Sequence, residues 1–205
     1  MINIIEKIDK IQHRHPFLKS VDRADILHGG FSKDEKYLLY LDGKPLYLLR
    51  VSDVANLKRQ SVEFKLLSFF FTKGIKCPKP HAFGIVPGKE QCFMIVSFIL
   101  GSDAKVTLKQ LPENLQYQIG FDAGCELRKL HELKGKITHK NWITRRKQKY
   151  HRRVQQAYAL GFHFHEQKHI EKYIEKQIVL LKKSPVRFQH NDFFPANLII
   201  EKEKF

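Results

Sequence analysis

The sequence predicts an α+β fold in which an antiparallel sheet with one helix precedes a mainly helical region. Short apolar runs separated by glycine, proline and aspartate occupy residues 25–100, as in a sheet of short strands. Between residues 114 and 181, apolar side chains recur every three or four positions, which is the helical period. A chain of 205 residues can bury the core of one domain or of two small lobes. We expect one lobe over residues 1–98 and a second over residues 99–205.

The first half of the chain is expected to begin with an amphipathic helix over residues 2–11, where isoleucine recurs at every third position. The segment Asp42-Gly43-Lys44-Pro45 is a strong turn signal between two apolar runs. A second helical pattern covers residues 56–72 and ends at Lys73-Gly74. The five strands are expected at residues 26–28, 37–41, 46–51, 82–86 and 92–100. This order places the second helix between the third and fourth strands.

The second half is expected to contain three helices and a final short strand. The longest helix, over residues 114–133, carries an apolar stripe, and Gly120 and Gly124 would allow close packing against it. The stripe consists of Leu115, Ile119, Ala123, Leu127 and Leu130. Further helices are expected at residues 154–160 and 166–181, and a strand at 198–200.

The formal net charge of +16 suggests anionic partners such as phosphorylated molecules, nucleic acids or a membrane surface. Residues 128–153 contain eleven Lys or Arg and one Glu. Such a run is usually a solvated face. The alternatives are a nucleic-acid surface and an excess that is balanced by acidic segments which this chain does not contain. Because the chain has no recognisable nucleic-acid motif and its aromatic residues fall mostly at core periodicities, we expect no nucleic-acid partner.

The N-terminal residues and the cysteines favour a cytoplasmic protein. Residues 1–12 are charged every few positions and lack the apolar segment of a signal peptide. The longest apolar runs are too short to span a membrane. Three scattered cysteines, with no metal-binding spacing, favour buried thiols in a reducing compartment.

The segment His190-Asn-Asp-Phe-Phe-Pro-Ala-Asn197 carries the strongest chemical signal. Asp192 and Asn197 are five positions apart, and His190 lies two positions before the aspartate. In a loop, this spacing lets a carboxylate meet a substrate hydroxyl while the carboxamide reaches a metal ion. The pattern is typical of phosphoryl transfer, where the aspartate orients or deprotonates the attacking hydroxyl and the asparagine binds Mg²⁺.

Two weaker signals lie in the first half of the chain. The turn Gly29-Gly-Phe-Ser32 could bring backbone N–H groups close to phosphate oxygens, although plain hairpin turns of this composition are more common. Glu63 lies beside the apolar face of the second helix, and Arg50 ends the preceding strand. Glu63 is either solvated or ion-paired with a cation on the sheet.

Taken together, these segments resemble the aminoglycoside phosphotransferase and choline kinase superfamily. The resemblance rests on Gly29-Gly-Phe-Ser-Lys-Asp-Glu-Lys-Tyr37, Leu48-Leu-Arg-Val-Ser52, Glu63, Leu127-Arg-Lys-Leu-His131 and the segment 190–197. It implies a protein-kinase-like bilobal fold and an ATP- and Mg²⁺-dependent kinase acting on a hydroxyl group of a small molecule. The lobe over residues 1–98 would bind the nucleotide, and the helical lobe over residues 99–205 would carry the catalytic loop.

The resemblance also implies roles for individual residues. Asp192 would be the catalytic base, His190 would brace its loop, and Asn197 would bind Mg²⁺. The nucleotide would be contacted by Gly30, Ser32, Arg50, Glu63 and the backbone of Ser97 and Ile99. Arg50 stands where many members of the superfamily have lysine, so its pairing with Glu63 would be forked rather than point-like.

The sequence departs from the superfamily pattern after the catalytic loop. No aspartate follows Asp192, whereas the superfamily has a second metal-binding aspartate there. We therefore hypothesise a truncated member with weak Mg²⁺-ATP binding, low turnover and an unpaired strand edge at residues 198–200. A catalytically inactive nucleotide-binding or interaction module is the alternative, and the sequence does not identify the acceptor.

Overall fold

The computed structural model describes residues 4–29, 32–135 and 139–201. It contains seven strands and six α-helices in these ranges, together with short 3₁₀ turns. The strands are β1 Arg23–Ile26, β2 Glu35–Leu41, β3 Lys44–Asp53, β4 Pro80–Ile85, β5 Gln91–Ser97, β6 Ser102–Asp103 and β7 Ile199–Ile200. The helices are α1 Ile4–Gln12, α2 Leu57–Thr72, α3 Ala104–Thr107, α4 Glu113–Glu132, α5 His139–Ala159 and α6 Gln167–Gln177. The α+β prediction is confirmed.

Contacts between backbone positions that are close in space divide the chain into two compact units. One unit comprises residues 1–127 and 192–205, and the other comprises residues 128–191. The lobe boundary that the sequence places between residues 98 and 99 stays a prediction.

The first unit contains a five-stranded antiparallel sheet with strand order β1-β2-β3-β5-β4. As the sequence predicts, one long helix, α2, lies between the third and fourth strands. The first strand begins and ends earlier than expected, because Arg23 pairs with Tyr40 and Ile26 with Tyr37. The apolar run that suggested a strand at residues 26–28 is exposed and leads into the glycine turn.

The main core lies on one face of this sheet. Alternate residues of β2, β3 and β5 point to this face, as the period of two in a strand requires. Helix α1 and the 3₁₀ turn Pro16–Ser20 cover it with Ile8, Ile11 and Leu18. The buried residues of the sheet side are Tyr37, Leu39, Leu49, Val51, Ala82, Val86, Phe93 and Ile95. The intervening residues Arg50 and Ser52 therefore face the other side.

Helix α2 is fixed to that other side through a buried polar contact. Gln60, which is fully buried, donates from Nε2 to Ser52 Oγ at 2.6 Å. Ser52 in turn lies 3.5 Å from Cys92 Sγ on β5. Because residues three apart share a helix face, this anchor also directs Glu63 toward the sheet.

The segment after residues 190–197 is paired, which the sequence did not predict. Strand β7 pairs antiparallel with β6, which joins Ser102 to Ile200 and Asp103 to Ile199. Ala104, Ile119 and Ile200 form a small buried cluster beneath this pairing. One side of β7 is therefore occupied by β6, and the unpaired edge expected at residues 198–200 stays a prediction for its other side. The two-residue strand β6 was missed because it has no apolar run.

The second unit is mainly helical. Helix α5 extends over His139–Ala159, so the basic run is mostly helix, whereas the sequence suggested helix only from residue 154. Arginine, lysine and glutamine favour helix without supplying an apolar stripe, which explains the missed boundary. Helix α6 ends at Gln177, and a 3₁₀ turn, Ile178–Lys183, packs against α5. In the described ranges, no helix combines the length and apolar character needed to cross a membrane, and the cytoplasmic location stays a prediction.

A Gly101→Ala substitution should destabilise the β6–β7 pairing. Gly101 has a φ of +143°, and an added Cβ would lie 2.5 Å from the carbonyl oxygen of Ile200. We expect a loss of about 1–3 kcal/mol in the free energy of unfolding, measured by urea titration.

The matched control is Gly120→Ala in α4. Among the described residues, an added Cβ at Gly120 or at Gly124 meets nothing within 4 Å, so the close packing that the sequence suggested at these glycines is not observed there. Gly120→Ala should stabilise the helix by roughly 0.5–1 kcal/mol. Equal effects of the two substitutions would contradict this account of Gly101.

Candidate active site

The centre of the first unit's polar face is the Arg50 guanidinium on β3. Its Nη1 pairs with Glu63 Oε1 of α2, and its Nη2 and Nε donate to Asp34 Oδ2 at 2.7 and 3.3 Å. The ion pair with Glu63 that the sequence offered as one alternative therefore forms. Its second partner, Asp34, was missed. The expected forked pairing with Glu63 is wrong in detail, because one nitrogen contacts Glu63 and the other two contact Asp34. The guanidinium thus joins the end of the glycine turn, the sheet and the helix.

This network is largely removed from water. The side chains of Asp34 and Arg50 are 3% and 16% exposed. Burial alone would lower the pKa of Arg50, but hydrogen bonds and charges from Glu63 and Asp34 raise it above its ordinary value. Arg59 extends the network outward, with Nη2 at 3.7 Å from Asp34 Oδ1. Arg50 therefore stays charged and fixed in position.

The glycine turn is held at both ends by local contacts. Lys36 Nζ donates to the carbonyl of Gly29 at 2.6 Å, and the Asp34 backbone N–H donates to Ser32 Oγ at 3.0 Å. Gly29 has a φ of +110°, which only glycine adopts without strain. Gly30, a predicted nucleotide contact, lies outside the described residues. Ser32 lies in the turn as expected, and its contact with nucleotide stays a prediction.

The predicted hinge follows β5. The Ser97 N–H donates to the Lys79 carbonyl at 2.8 Å, and Ser97 Oγ accepts from the Lys79 N–H at 2.8 Å. The Phe98 N–H donates to the Leu46 carbonyl at 2.8 Å. Ile99 is 39% exposed, and in the described ranges no backbone carbonyl accepts from its N–H. Of the predicted hinge donors, Ile99 is therefore the better suited to bind a base edge.

The catalytic-type loop brings Asp192 and Asn197 together. Asn197 Nδ2 donates to Asp192 Oδ2 at 2.9 Å and to the Asp192 carbonyl at 3.0 Å. A 3₁₀ turn, Pro195–Asn197, shapes this contact, and the Asn197 N–H closes it by donating to the Phe194 carbonyl at 2.8 Å. Both side chains are exposed. The five-residue spacing therefore closes into a loop that presents one carboxylate and one amide oxygen to solvent.

The residues before Asp192 set the direction of the chain. Asn191 has a φ of +65°, a left-handed conformation that asparagine tolerates better than most residues, and its Nδ2 donates to the Gln189 carbonyl at 3.2 Å. His190 is exposed and belongs to the unit formed by residues 128–191. Its bracing role stays a prediction.

The described structure thus joins two of the predicted pairs, Arg50 with Glu63 and Asp192 with Asn197. Sequence reasoning missed Asp34 and Gln60, which hold Arg50 and α2 in place. A signal for Asp34 existed in the hairpin register, because Lys36 lies opposite Arg50 on the neighbouring strand. For Gln60 the signal was a polar residue one turn before Glu63 on the same helix face.

When the chain is compared with known protein families, one family model matches it. Residues 24–205 match the model of the phosphotransferase enzyme family, APH. No curated protein sequence matches.

Solved structures share the fold at low sequence identity. The aminoglycoside phosphotransferase APH(2'')-Ib with ADP bound has a TM-score of 0.65 and 18% identity, over 97% of this chain and 67% of that one. The gentamicin complex of APH(2'')-IIa has a TM-score of 0.64 and 19% identity, over 100% of this chain and 68% of that one. The streptomycin–ATP ternary complex of APH(2'')-IIa has a TM-score of 0.64 and 18% identity, over 100% of this chain and 69% of that one. These matches confirm the protein-kinase-like fold.

Acid should weaken the network around Asp34. Burial raises the pKa of this carboxyl, but hydrogen bonds from Arg50 and Ser32 and the charge of Arg50 outweigh burial, so the folded-state pKa lies below the ordinary value. Its contribution to stability is present above the unfolded pKa of about 3.9 and is lost as the pH falls through the folded pKa.

We therefore expect Asp34→Asn to lower the free energy of unfolding at neutral pH and to flatten its decline in acid. Urea titrations between about pH 3 and about pH 7 measure both effects. Some acid dependence should remain, because Lys7 and Tyr37 hold the pKa of Glu35 down although burial opposes them. An unchanged acid slope in Asp34→Asn would contradict the assignment.

Proposed function

The chain belongs to the phosphotransferase enzyme family, and from that premise we propose that it transfers the γ-phosphoryl group of ATP to a hydroxyl of a small molecule. The contact between Asp192 and Asn197 carries the proposal. It is a local arrangement of one carboxylate and one carboxamide, and phosphoryl transfer uses such a pair to orient a hydroxyl and to bind a metal–phosphate complex.

The nucleotide would lie against the polar face around Arg50. The guanidinium keeps one side on Asp34 and another on Glu63, so its position is fixed before a ligand arrives. A fixed cation stabilises the charge of phosphate oxygens without the cost of reorganising at the moment of reaction. Ser32 and the Gly30 backbone would contact the phosphates, and Ile99 would bind the base edge.

The oxygen ligands fit Mg²⁺. Asn197 uses its Nδ2 on Asp192, which leaves its Oδ1 available as a ligand. The described residues contain no cluster of three or more His, Cys, Asp or Glu that could hold a metal alone. Mg²⁺ commonly binds through one or two side chains together with substrate phosphates and water. When bound, the ion would neutralise charge on the β- and γ-phosphates.

In the proposed reaction, Asp192 Oδ1 accepts a hydrogen bond from the acceptor hydroxyl and takes its proton. The hydroxyl oxygen forms the bond to the γ-phosphorus as the bond to the β–γ bridging oxygen breaks, and ADP leaves. Asn197 holds the other carboxylate oxygen, so Oδ1 is the atom directed to the substrate. Positioning and charge neutralisation supply most of the catalysis in this chemistry.

The acceptor is proposed only by class. The similar solved structures include complexes with gentamicin and streptomycin, so an aminoglycoside-like or other alcohol is the first class to test. The cytoplasmic location, Mg²⁺ dependence and low turnover expected from the sequence stay predictions. Mg²⁺-dependent thermal stabilisation by a non-hydrolysable ATP analogue, without phosphate transfer, would favour the inactive nucleotide-binding module instead.

Asp192→Asn should separate binding from chemistry. The amide cannot take the hydroxyl proton, so transfer from radiolabelled ATP should fall by about 10²-fold or more. Affinity for the non-hydrolysable analogue, measured by calorimetry, should be retained. Asp122→Asn on α4, outside the candidate site, is the matched control, and equal loss of transfer in both variants would count against the proposal.

Arg50→Lys should weaken nucleotide binding while preserving the charge. A lysine ammonium lacks the guanidinium fork and cannot satisfy Asp34 and Glu63 with the same geometry. We expect about tenfold lower affinity for the ATP analogue, about 1.4 kcal/mol. Arg59→Lys at the exposed end of the same network should leave the affinity nearly unchanged, and a comparable loss there would contradict a special role for Arg50.

A further inference from the structure

Most of the chain's positive charge is concentrated in one unit. Residues 128–191 contain seventeen Lys or Arg and four Glu, a formal net charge of +13, whereas the whole chain carries +16. The proposed kinase chemistry uses none of these cations. The second unit therefore has a charge that the proposed function does not explain.

A groove of about 460 Å³ runs between α5 and α6 within this unit. Five apolar side chains line it: Val154, Ala157, Phe164, Ile170 and Ile174. Three of them are markedly exposed for apolar residues, Phe164 at 50%, Ile170 at 41% and Ile174 at 38%. An exposed, concave apolar surface of this kind is typical of an interaction site.

One wall of the groove is basic. Arg146, Lys149 and Arg153 follow a spacing of three and four on α5, so they form one stripe along the groove. No carboxylate lies within ion-pair distance of these three side chains in the described part of the chain. Arg146 contacts Gln189 Oε1 at 3.3 Å and the Trp142 ring at 5.6 Å, both neutral groups. The stripe is therefore not charge-compensated by these contacts.

Two further polar groups of the groove, Glu171 and Tyr150, differ in whether they have hydrogen-bond partners. Glu171 is the one acidic residue among the described residues that line the groove. Its carboxylate already accepts from Tyr158 Oη at 2.9 Å and from Gln167 Nε2 at 2.8 Å. The Tyr150 hydroxyl is buried and has no hydrogen-bond partner among the described residues. This oxygen is closed to solvent, so it offers no contact to a ligand of the groove.

From these features we infer that the α5–α6 groove docks an acidic amphipathic helix of a partner protein. The partner's apolar stripe lies on Val154, Phe164, Ile170 and Ile174, and its Asp or Glu side chains meet the basic stripe. The groove runs from Arg146 to Ala157, about 17 Å along α5, which matches about three turns of partner helix.

Other occupants fit less well. A second copy of this unit brings its own charge of +13 and would be repelled. A nucleic acid supplies the negative charge but no aliphatic stripe for the apolar floor. A membrane surface would favour a convex apolar tip over a concave groove.

The test uses fluorescence anisotropy with the whole chain and a labelled 18-residue peptide, about five helical turns. The peptide has Leu at positions i, i+3, i+4 and i+7 and Glu on both flanks. A scrambled peptide of the same composition and a peptide with Lys in place of Glu are the ligand controls. Oligothymidine and vesicles of phosphatidylcholine with phosphatidylserine test the other anionic partners.

Two double variants distinguish the groove from general charge. Lys149→Glu with Arg153→Glu reverses two charges of the basic stripe, and Arg145→Glu with Lys147→Glu makes the same charge change on α5 outside the groove lining. Only the first pair should weaken peptide binding by about tenfold or more. Ile174→Asn should weaken it as well, whereas Val179→Asn, exposed but outside the groove lining, should not. Circular dichroism checks that each variant is folded.

The proposal is overturned if the scrambled peptide binds as tightly as the amphipathic one, or if both double variants lose affinity alike. It is also overturned if oligothymidine or the vesicles bind in a manner that depends on the groove while the amphipathic peptide does not bind. Tighter binding of the amphipathic acidic peptide, lost only with the groove variants, supports it.

Discussion

The polar face of the first unit depends on one buried cation held by two carboxylates. Arg50 contacts Asp34 and Glu63, and two of these three side chains are at most 16% exposed. Because breaking a buried ion pair costs about 3–5 kcal/mol, removing Arg50 or Asp34 should strongly destabilise the fold. The same contacts fix the end of the glycine turn, the middle of β3 and one face of α2. The contacts that hold the Arg50 guanidinium in place therefore also stabilise the fold.

Sequence patterns predicted the elements better than the contacts between them. Alternating apolar residues reveal the strands, and the repeat in α4 reveals its buried stripe, because both periods follow from backbone geometry. Arg50 with Glu63 was accessible as one of two alternatives, since a strand end and a helix face were both recognisable. Asp34 was not, because its contact depends on strand register and on the path of a turn. Helix α5 was underestimated because its residues favour helix through propensity, without an apolar stripe.

The catalytic-type loop combines local rules with one long-range constraint. Asn191 turns the chain through a left-handed conformation, and the 3₁₀ turn Pro195–Asn197 brings the amide back to Asp192. Short motifs of this kind can be inferred from spacing alone. The pairing of β7 with β6 cannot, because it requires Gly101, about a hundred residues earlier in the chain, to pass close to the Ile200 carbonyl. A short motif can thus predict which side chains meet, but it does not predict the strand pairing that holds the motif in place.

Charge has different physical roles in the two parts of the chain. At Arg50 a single, largely buried positive charge is paired with Asp34 and Glu63, so the guanidinium is held in one orientation. A cation held in this way suits the binding of phosphate groups. Along α5 the positive charge is abundant and mostly exposed, and the basic side chains at the groove have no ion-pair partner among the described residues. Such charge attracts partners over a distance but does not orient them. Exposed charges of one sign speed association and select the sign of a partner, whereas shape and apolar contact select its form. The apolar floor beside the basic stripe supplies that second element, so the same sequence can carry the proposed phosphate-binding site and the proposed recognition surface.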